Sequence, residues 1–145
     1  MPMVEFDAVL DGDAQKIWNV LKQFGQIQNW HPSIVSSQIE GGAAQRVGCI
    51  RTLTLTDGAV VRERLLALDD SALSLSYRFE EAPLPLDNYV ASVKLVALTG
   101  QNKTLISWSA SFDPQELNTA EHYQALIQSL IVEGHNGLQA LLAQH

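Results

Sequence analysis

Arg51 and Glu63 are the residues of this sequence best placed to do chemistry, because each interrupts an otherwise aliphatic strand pattern on either side of an Asp57-Gly58 turn. Whether they meet depends on that turn. A two-residue loop pairs Leu53 with Arg62 and Leu55 with Val60, which mixes an aliphatic face with a charged one. A three-residue loop, with Gly58 in a left-handed bulge position, pairs Leu53 with Val61 and Arg51 with Glu63 instead. The face carrying Cys49, Leu53, Leu55, Val61 and Leu65 is then consistently apolar, so this register is the expected one. Two charges within such a face must pair, since burying either alone is costly. Two readings stay open for the pair: a structural ion pair, or an anchor for the polar end of a ligand in a pocket with few other polar groups.

Four more residues could act beside them. Tyr77, Tyr89 and Trp108 occupy inward positions of later strands, and each carries a hydroxyl or indole donor that needs a partner inside. Core packing is the competing role for each. His31 lies between Trp30 and Pro32 and titrates near neutrality, so it is either a packing or capping residue or a donor at the pocket. Glu63 or His31 could also move a proton as acid or base. His122, His135 and His145 fall in the C-terminal helix or at its end, with no metal-ligand spacing toward the lone Cys49, so no metal is predicted. No Gly-x-Ser-x-Gly, partnered cysteine or phosphate-binding glycine loop occurs, so no activated nucleophile and no cofactor are predicted.

The elements that must position these residues read clearly. Val4 to Leu10 alternates as a half-buried strand; Asp13 can cap a helix carrying Ile17, Trp18, Leu21 and Phe24; a short second helix or turn covers Gln26 to Trp30. Strand patterns then run over Ile34–Glu40, Val47–Leu55, Val60–Leu68, Leu73–Glu80, Asn88–Leu98 and Thr104–Phe112, separated by turn-forming clusters. From about Thr119, Tyr123, Leu126, Ile127, Leu130, Ile131, Leu138, Leu141 and Leu142 form the stripe of a long amphipathic helix. The expected fold is α+β: a seven-stranded curved antiparallel sheet wrapped around a long C-terminal helix, with two short helices between the first and second strands. This is the helix-grip arrangement. Glu80 to Asp87, with two prolines, is the expected flap over the pocket mouth.

Bulk properties agree with one such domain over residues 1–145. The 145 residues are 46% hydrophobic and 17% charged, enough to bury a real core. A formal net charge of -7 opposes attraction to nucleic acid and to anionic membranes. With one cysteine no intramolecular disulfide can form, and the N-terminal Met-Pro-Met-Val-Glu-Phe-Asp lacks the pattern of a signal peptide. No run approaches about 18 apolar residues, so no membrane insertion is expected. A cytoplasmic protein is predicted, with monomer and dimer both open.

Several segments together carry a family resemblance. Val47-Gly48-Cys49-Ile50-Arg51, Glu63-Arg64-Leu65, Leu68-Asp69-Asp70, Leu75-Ser76-Tyr77-Arg78-Phe79 and Asn88-Tyr89 are similar to the START-like, pollen-allergen-like helix-grip (SRPBCC) superfamily. Within it the sequence most resembles the branch of bacterial polyketide-cyclase-like proteins and plant abscisic-acid receptors. Ile17-Trp18 in the first helix and Trp30-His31-Pro32 extend the resemblance over nearly the whole chain. It implies that Glu63, Tyr77, Tyr89 and Trp108 line a hormone-like cavity with Arg51 on the same wall. It also shows departures: His31 stands where the receptors have an anchoring lysine, their gate is shortened to the Asp57-Gly58 turn, and their latch becomes Pro83-Leu84-Pro85-Leu86. A gated hormone receptor is therefore not expected.

Three functions follow from these readings. The first is binding or transport of a small hydrophobic or aromatic molecule, oriented by His31, Arg51, Glu63, Tyr77, Tyr89 and Trp108. The second is a polyketide cyclase- or aromatase-like enzyme using Glu63 or His31 as acid or base. The third is an interaction module whose interior is filled by its own side chains. Both ligand-using readings call for a connected void of at least about 300 Å³.

Overall fold

The computed structural model describes residues 1–42 and 44–144, so His145 lies outside the described residues. The elements run β1 (Met3–Asp11), α1 (Ala14–Leu21), a 3-10 segment (Phe24–Asn29), β2 (Ile34–Ile39), β3 (Ile50–Leu55), β4 (Val60–Asp69), β5 (Ser74–Glu81), β6 (Leu86–Ala97), β7 (Lys103–Pro114) and α2 (Ala120–Ala143). One seven-stranded antiparallel sheet has the order β1-β7-β6-β5-β4-β3-β2. Six strands follow one another as hairpins, while β1 crosses to pair with β7, leaving β1 and β2 as the two edges. The α+β helix-grip architecture read from the sequence is the one observed.

Local chemistry explains the positions of the short helices. Asp13 caps α1 by accepting from the Lys16 backbone N–H at 3.2 Å, and α1 buries Ala14, Ile17, Trp18 and Leu21 against the sheet. The Trp18 indole donates to Asp70 at 2.8 Å, tying α1 to the β4–β5 turn. The 3-10 segment packs beside β2 and delivers Phe24, Ile27 and then Trp30 to the core. Strand alternation does the rest: Val4 and Leu10, Leu53, Val61 and Leu65, then Val93, Ile106 and Phe112 are all buried.

The Asp57-Gly58 hairpin adopts the three-residue loop. Leu53 pairs with Val61, Arg51 with Glu63, and Gly58 takes a φ of 89°. Other strand ends differ from the sequence expectation. β3 begins at Ile50, not Val47, because Gly48 turns the chain at φ 96° and leaves Val47 exposed. β5 begins at Ser74 because Leu73 has a φ of 53°. β6 begins two residues early, at Leu86: a bulge with Asn88 at φ 55° lets Leu86 and Asp87 pair with Pro114 and Asp113. The expected flap over Glu80 to Asp87 is therefore half strand, and the free connection shrinks to residues 82–85.

Helix α2 buries Ile127 and Leu138 fully, with Leu130, Ile131, Leu141 and Leu142 half-buried, as its apolar stripe requires. Its centre is different. Gly134 and His135 are buried there, and Gly134 with Gly137 opens a notch that receives Trp30, His31 and Pro32. A Cβ on Gly134 would lie 2.7 Å from His31 Cδ2, and one on Gly137 would run into the Trp30 carbonyl oxygen.

Candidate functional site

A cavity lies between α2 and the β3–β5 half of the sheet, with Trp30, His31 and Leu84 also in its lining. Adjacent strands place its polar groups in a row. Arg51 on β3 pairs with Glu63 on β4, and Glu63 with Phe79 on β5. Phe79 in turn stacks on Tyr89 of β6, ring centroids 3.9 Å apart at 11°. Tyr77 comes from one step along β5, and Trp108 from β7 reaches the same space.

Arg51 and Glu63 are almost fully buried, 4% and 6% exposed. Arg51 Nε and Nη2 both donate to the single oxygen Oε1 of Glu63, at 2.8 and 2.6 Å. Arg51 Nη1 donates to the Phe24 carbonyl at 2.9 Å. The guanidinium also lies over the Phe24 ring at 3.9 Å and the Tyr77 ring at 4.8 Å. Every nitrogen of Arg51 thus has a use inside the fold. Glu63 Oε2 is different: no protein donor reaches it among the described residues.

His31 is held at both ring nitrogens. Nε2 lies 2.9 Å from the Leu130 carbonyl of α2, and Nδ1 accepts from the Ser33 backbone N–H at 3.2 Å. This fits the neutral ring with its proton on Nε2, donating to the helix. Burial holds its pKa below 6.5, with the Leu130 carbonyl and Glu133 pulling the other way. The ring braces the 3-10 segment against α2 and has no free nitrogen for proton transfer.

Burial also pushes the Tyr77 hydroxyl up to about 12, with the Glu63 charge adding to the effect. The Tyr89 hydroxyl moves up for the same reasons, burial first. Both phenols stay protonated. Trp108 is 7% exposed and its indole N–H has no partner among the described residues, which for a buried donor costs about 1–3 kcal/mol.

All six residues singled out in the sequence border this one cavity. Gly134 and Leu84 were not singled out as pocket residues. The signal for Gly134 was a pair of glycines three apart inside a helix, where each costs about 1 kcal/mol relative to alanine and so needs a packing reason. The open space is about 110 Å³. That is well below the roughly 300 Å³ that both ligand-using readings call for, because Phe79, Tyr89, Trp30 and Trp108 fill much of the interior, so the observed volume counts against both. Among the described residues no three His, Cys, Asp or Glu side chains gather as a metal site.

Comparison with known proteins matches this fold. The protein XoxI from Bacillus cereus is 28% identical, with a TM-score of 0.87 over 100% of this chain and 99% of that one. An uncharacterized protein from Bacillus thuringiensis is 26% identical, with a TM-score of 0.84 over 96% of this chain and 97% of its own. Norcoclaurine synthase from Thalictrum flavum, solved with dopamine and hydroxybenzaldehyde, shares the fold at a TM-score of 0.78 and 16% identity, over 99% of this chain and 87% of that one. Residues 1–143 match the family described as polyketide cyclase / dehydrase and lipid transport, and the chain belongs to that family.

Proposed function

We propose that this chain is a single cytoplasmic domain that binds a small hydrophobic or aromatic molecule in the cavity between α2 and the sheet. The observation that carries the reading is a largely apolar cavity whose few polar groups include Arg51, Glu63 and the two tyrosines. Its 110 Å³ limits the ligand. An apolar protein cavity of about 150 Å³ can hold benzene, so this smaller space takes at most one aromatic ring or a short aliphatic chain. A folded poly-carbonyl substrate is too large for a space of this size, which sets the cyclase reading below the binding one. The lone Cys49 supports a reducing, cytoplasmic location.

One observation favours a second reading. A cavity this tight also suits an interaction module whose interior is filled by its own side chains. Calorimetric titration with one-ring aromatics and short alkanols separates the two. Saturable 1:1 binding is expected, together with a small noncovalent mass retained in native mass spectrometry of protein from its own host. If neither a ring nor a short chain binds at millimolar concentration, the interaction module replaces the carrier.

A further inference from the structure

We infer that the cavity selects a neutral aromatic bearing an O–H or N–H donor, and that this donor is received by Glu63 Oε2. The inference rests on the ligand-binding reading above and specifies the chemistry of its ligand.

The geometry follows from how the ion pair is made. Arg51 reaches Glu63 side-on, and both of its N–H contacts fall on Oε1. Oε2 is left without a protein donor among the described residues, although Glu63 is 6% exposed and borders the cavity. The Tyr77 and Tyr89 hydroxyls lie close enough to feel the Glu63 charge, and among the described residues no hydrogen bond joins either of them to it. A carboxylate oxygen facing an apolar cavity is a strong acceptor awaiting a donor. Water can fill that role in the empty protein, and a ligand hydroxyl or amine can replace it.

The same contacts decide against an anionic ligand. Arg51 is the one lysine or arginine bordering the cavity, and its nitrogens are committed to Glu63 and to the Phe24 carbonyl. His31 spends one ring nitrogen on Leu130 and the other on Ser33. No cation remains to receive a ligand carboxylate, which would instead meet the free oxygen of Glu63 and be repelled. The two cationic side chains that look like anchors for an acid have been used by the fold, and what is left beside the Glu63 oxygen is neutral: the Trp108 indole N–H and the hydroxyls of Tyr77 and Tyr89.

A matched set of one-ring probes tests this in the unmodified protein: phenol, toluene, anisole and benzoate. Phenol and toluene differ by one hydroxyl for one methyl, and a purely apolar site ranks toluene first because the hydroxyl must leave water. Donation to Glu63 reverses the order, so phenol is expected to bind about tenfold more tightly than toluene. Anisole, which has the oxygen without the donor, should fall with toluene, and benzoate should show no binding. Toluene or anisole binding as tightly as phenol overturns the inference and leaves the hydrophobic-ligand reading intact, as does benzoate binding most tightly. Failure of all four probes removes the ligand-binding reading itself. Glu63→Gln strips Arg51 of its partner and endangers the fold, so the ranking in the unmodified protein decides. If the variant does fold, loss of the preference for phenol is the expected result.

Discussion

Replacing Gly137 by alanine should destabilise this protein even though alanine is the better helix former. At an exposed interior position of a helix the change gains about 1 kcal/mol. Here the added methyl carbon runs into the Trp30 carbonyl oxygen, and it lies 2.9 Å from Pro32 Cδ and 3.1 Å from the Trp30 carbonyl carbon. All three atoms are backbone or ring-locked, so no rotamer change relieves the overlap. Either α2 moves outward or the Trp30–Pro32 segment moves off it. Both movements stretch the 2.9 Å contact of His31 with the Leu130 carbonyl and the bond from the Ser33 hydroxyl to Glu133. Overpacking of this kind costs about 1–3 kcal/mol, and a clash against backbone belongs at the upper end. After the propensity gain the net loss is about 2 kcal/mol, or a drop in Tm of roughly 6–8 °C for a chain of this size. Thermal unfolding followed by circular dichroism measures it, with exposed Asn136→Ala as the control expected to leave Tm unchanged or slightly raised. A Gly137→Ala protein melting at or above its parent would refute the seating of α2 on the Trp30 carbonyl.

The buried ion pair and the buried histidines give the other expectations. Glu63→Ala leaves Arg51 charged and unpaired and should cost about 3–5 kcal/mol in urea unfolding, whereas Arg51→Met with Glu63→Leu should recover most of that loss. A single substitution costing under about 1 kcal/mol contradicts the pairing. His31 and His135 both have pKa values held below 6.5 by burial. The unfolded chain therefore binds their protons first, so stability is full above about pH 6.5 and falls as the pH drops below it. Glu40 and Glu80 are held at about 2 by Arg62 and Arg64, so their contribution is present above 4.5 and fades only as the pH falls toward 2. Urea midpoints at about pH 7.5 and pH 5 isolate the histidines. The midpoint should be lower at the acidic value, the difference should shrink in His135→Phe, and equal midpoints in the parent would count against burial of the neutral rings.

Much of this was legible because hydrophobic period fixes the face of a strand. The Arg51–Glu63 pairing followed from asking which hairpin loop keeps Leu53 and Val61 together, a one-residue question with a two-faced answer. Strand ends were less legible, because Gly48, Leu73 and Asn88 leave the strand conformation through positive φ values that no periodicity announces. The middle of α2 was hidden for a related reason. Its buried positions are Gly134 and His135, and a pattern search that rewards large apolar residues passes over a helix face made to let a neighbouring backbone in close. Cavity volume was the least legible quantity. It is the difference between the space the sheet and helix enclose and the aromatic volume placed inside, and the tight Phe79–Tyr89 stack shows how far the second cancels the first.

The polar character of the cavity shows why residue types alone mislead about a ligand. By residue type alone, Arg51 and His31 are the cations of the pocket, available to orient the polar end of a ligand. Their actual partners, Glu63 Oε1, the Phe24 and Leu130 carbonyls and the Ser33 amide, come from four different elements or loops that only the tertiary fold brings together. Each of those contacts subtracts a donor from what a ligand can use. The subtraction is uneven: it removes the positive groups almost completely, while among the described residues the bonds to Glu63 fall on Oε1 alone and the Trp108 indole N–H has no partner. A site's chemistry toward its ligand is set by this remainder, so a cavity containing an arginine and a histidine can favour a neutral hydrogen-bond donor over an acid.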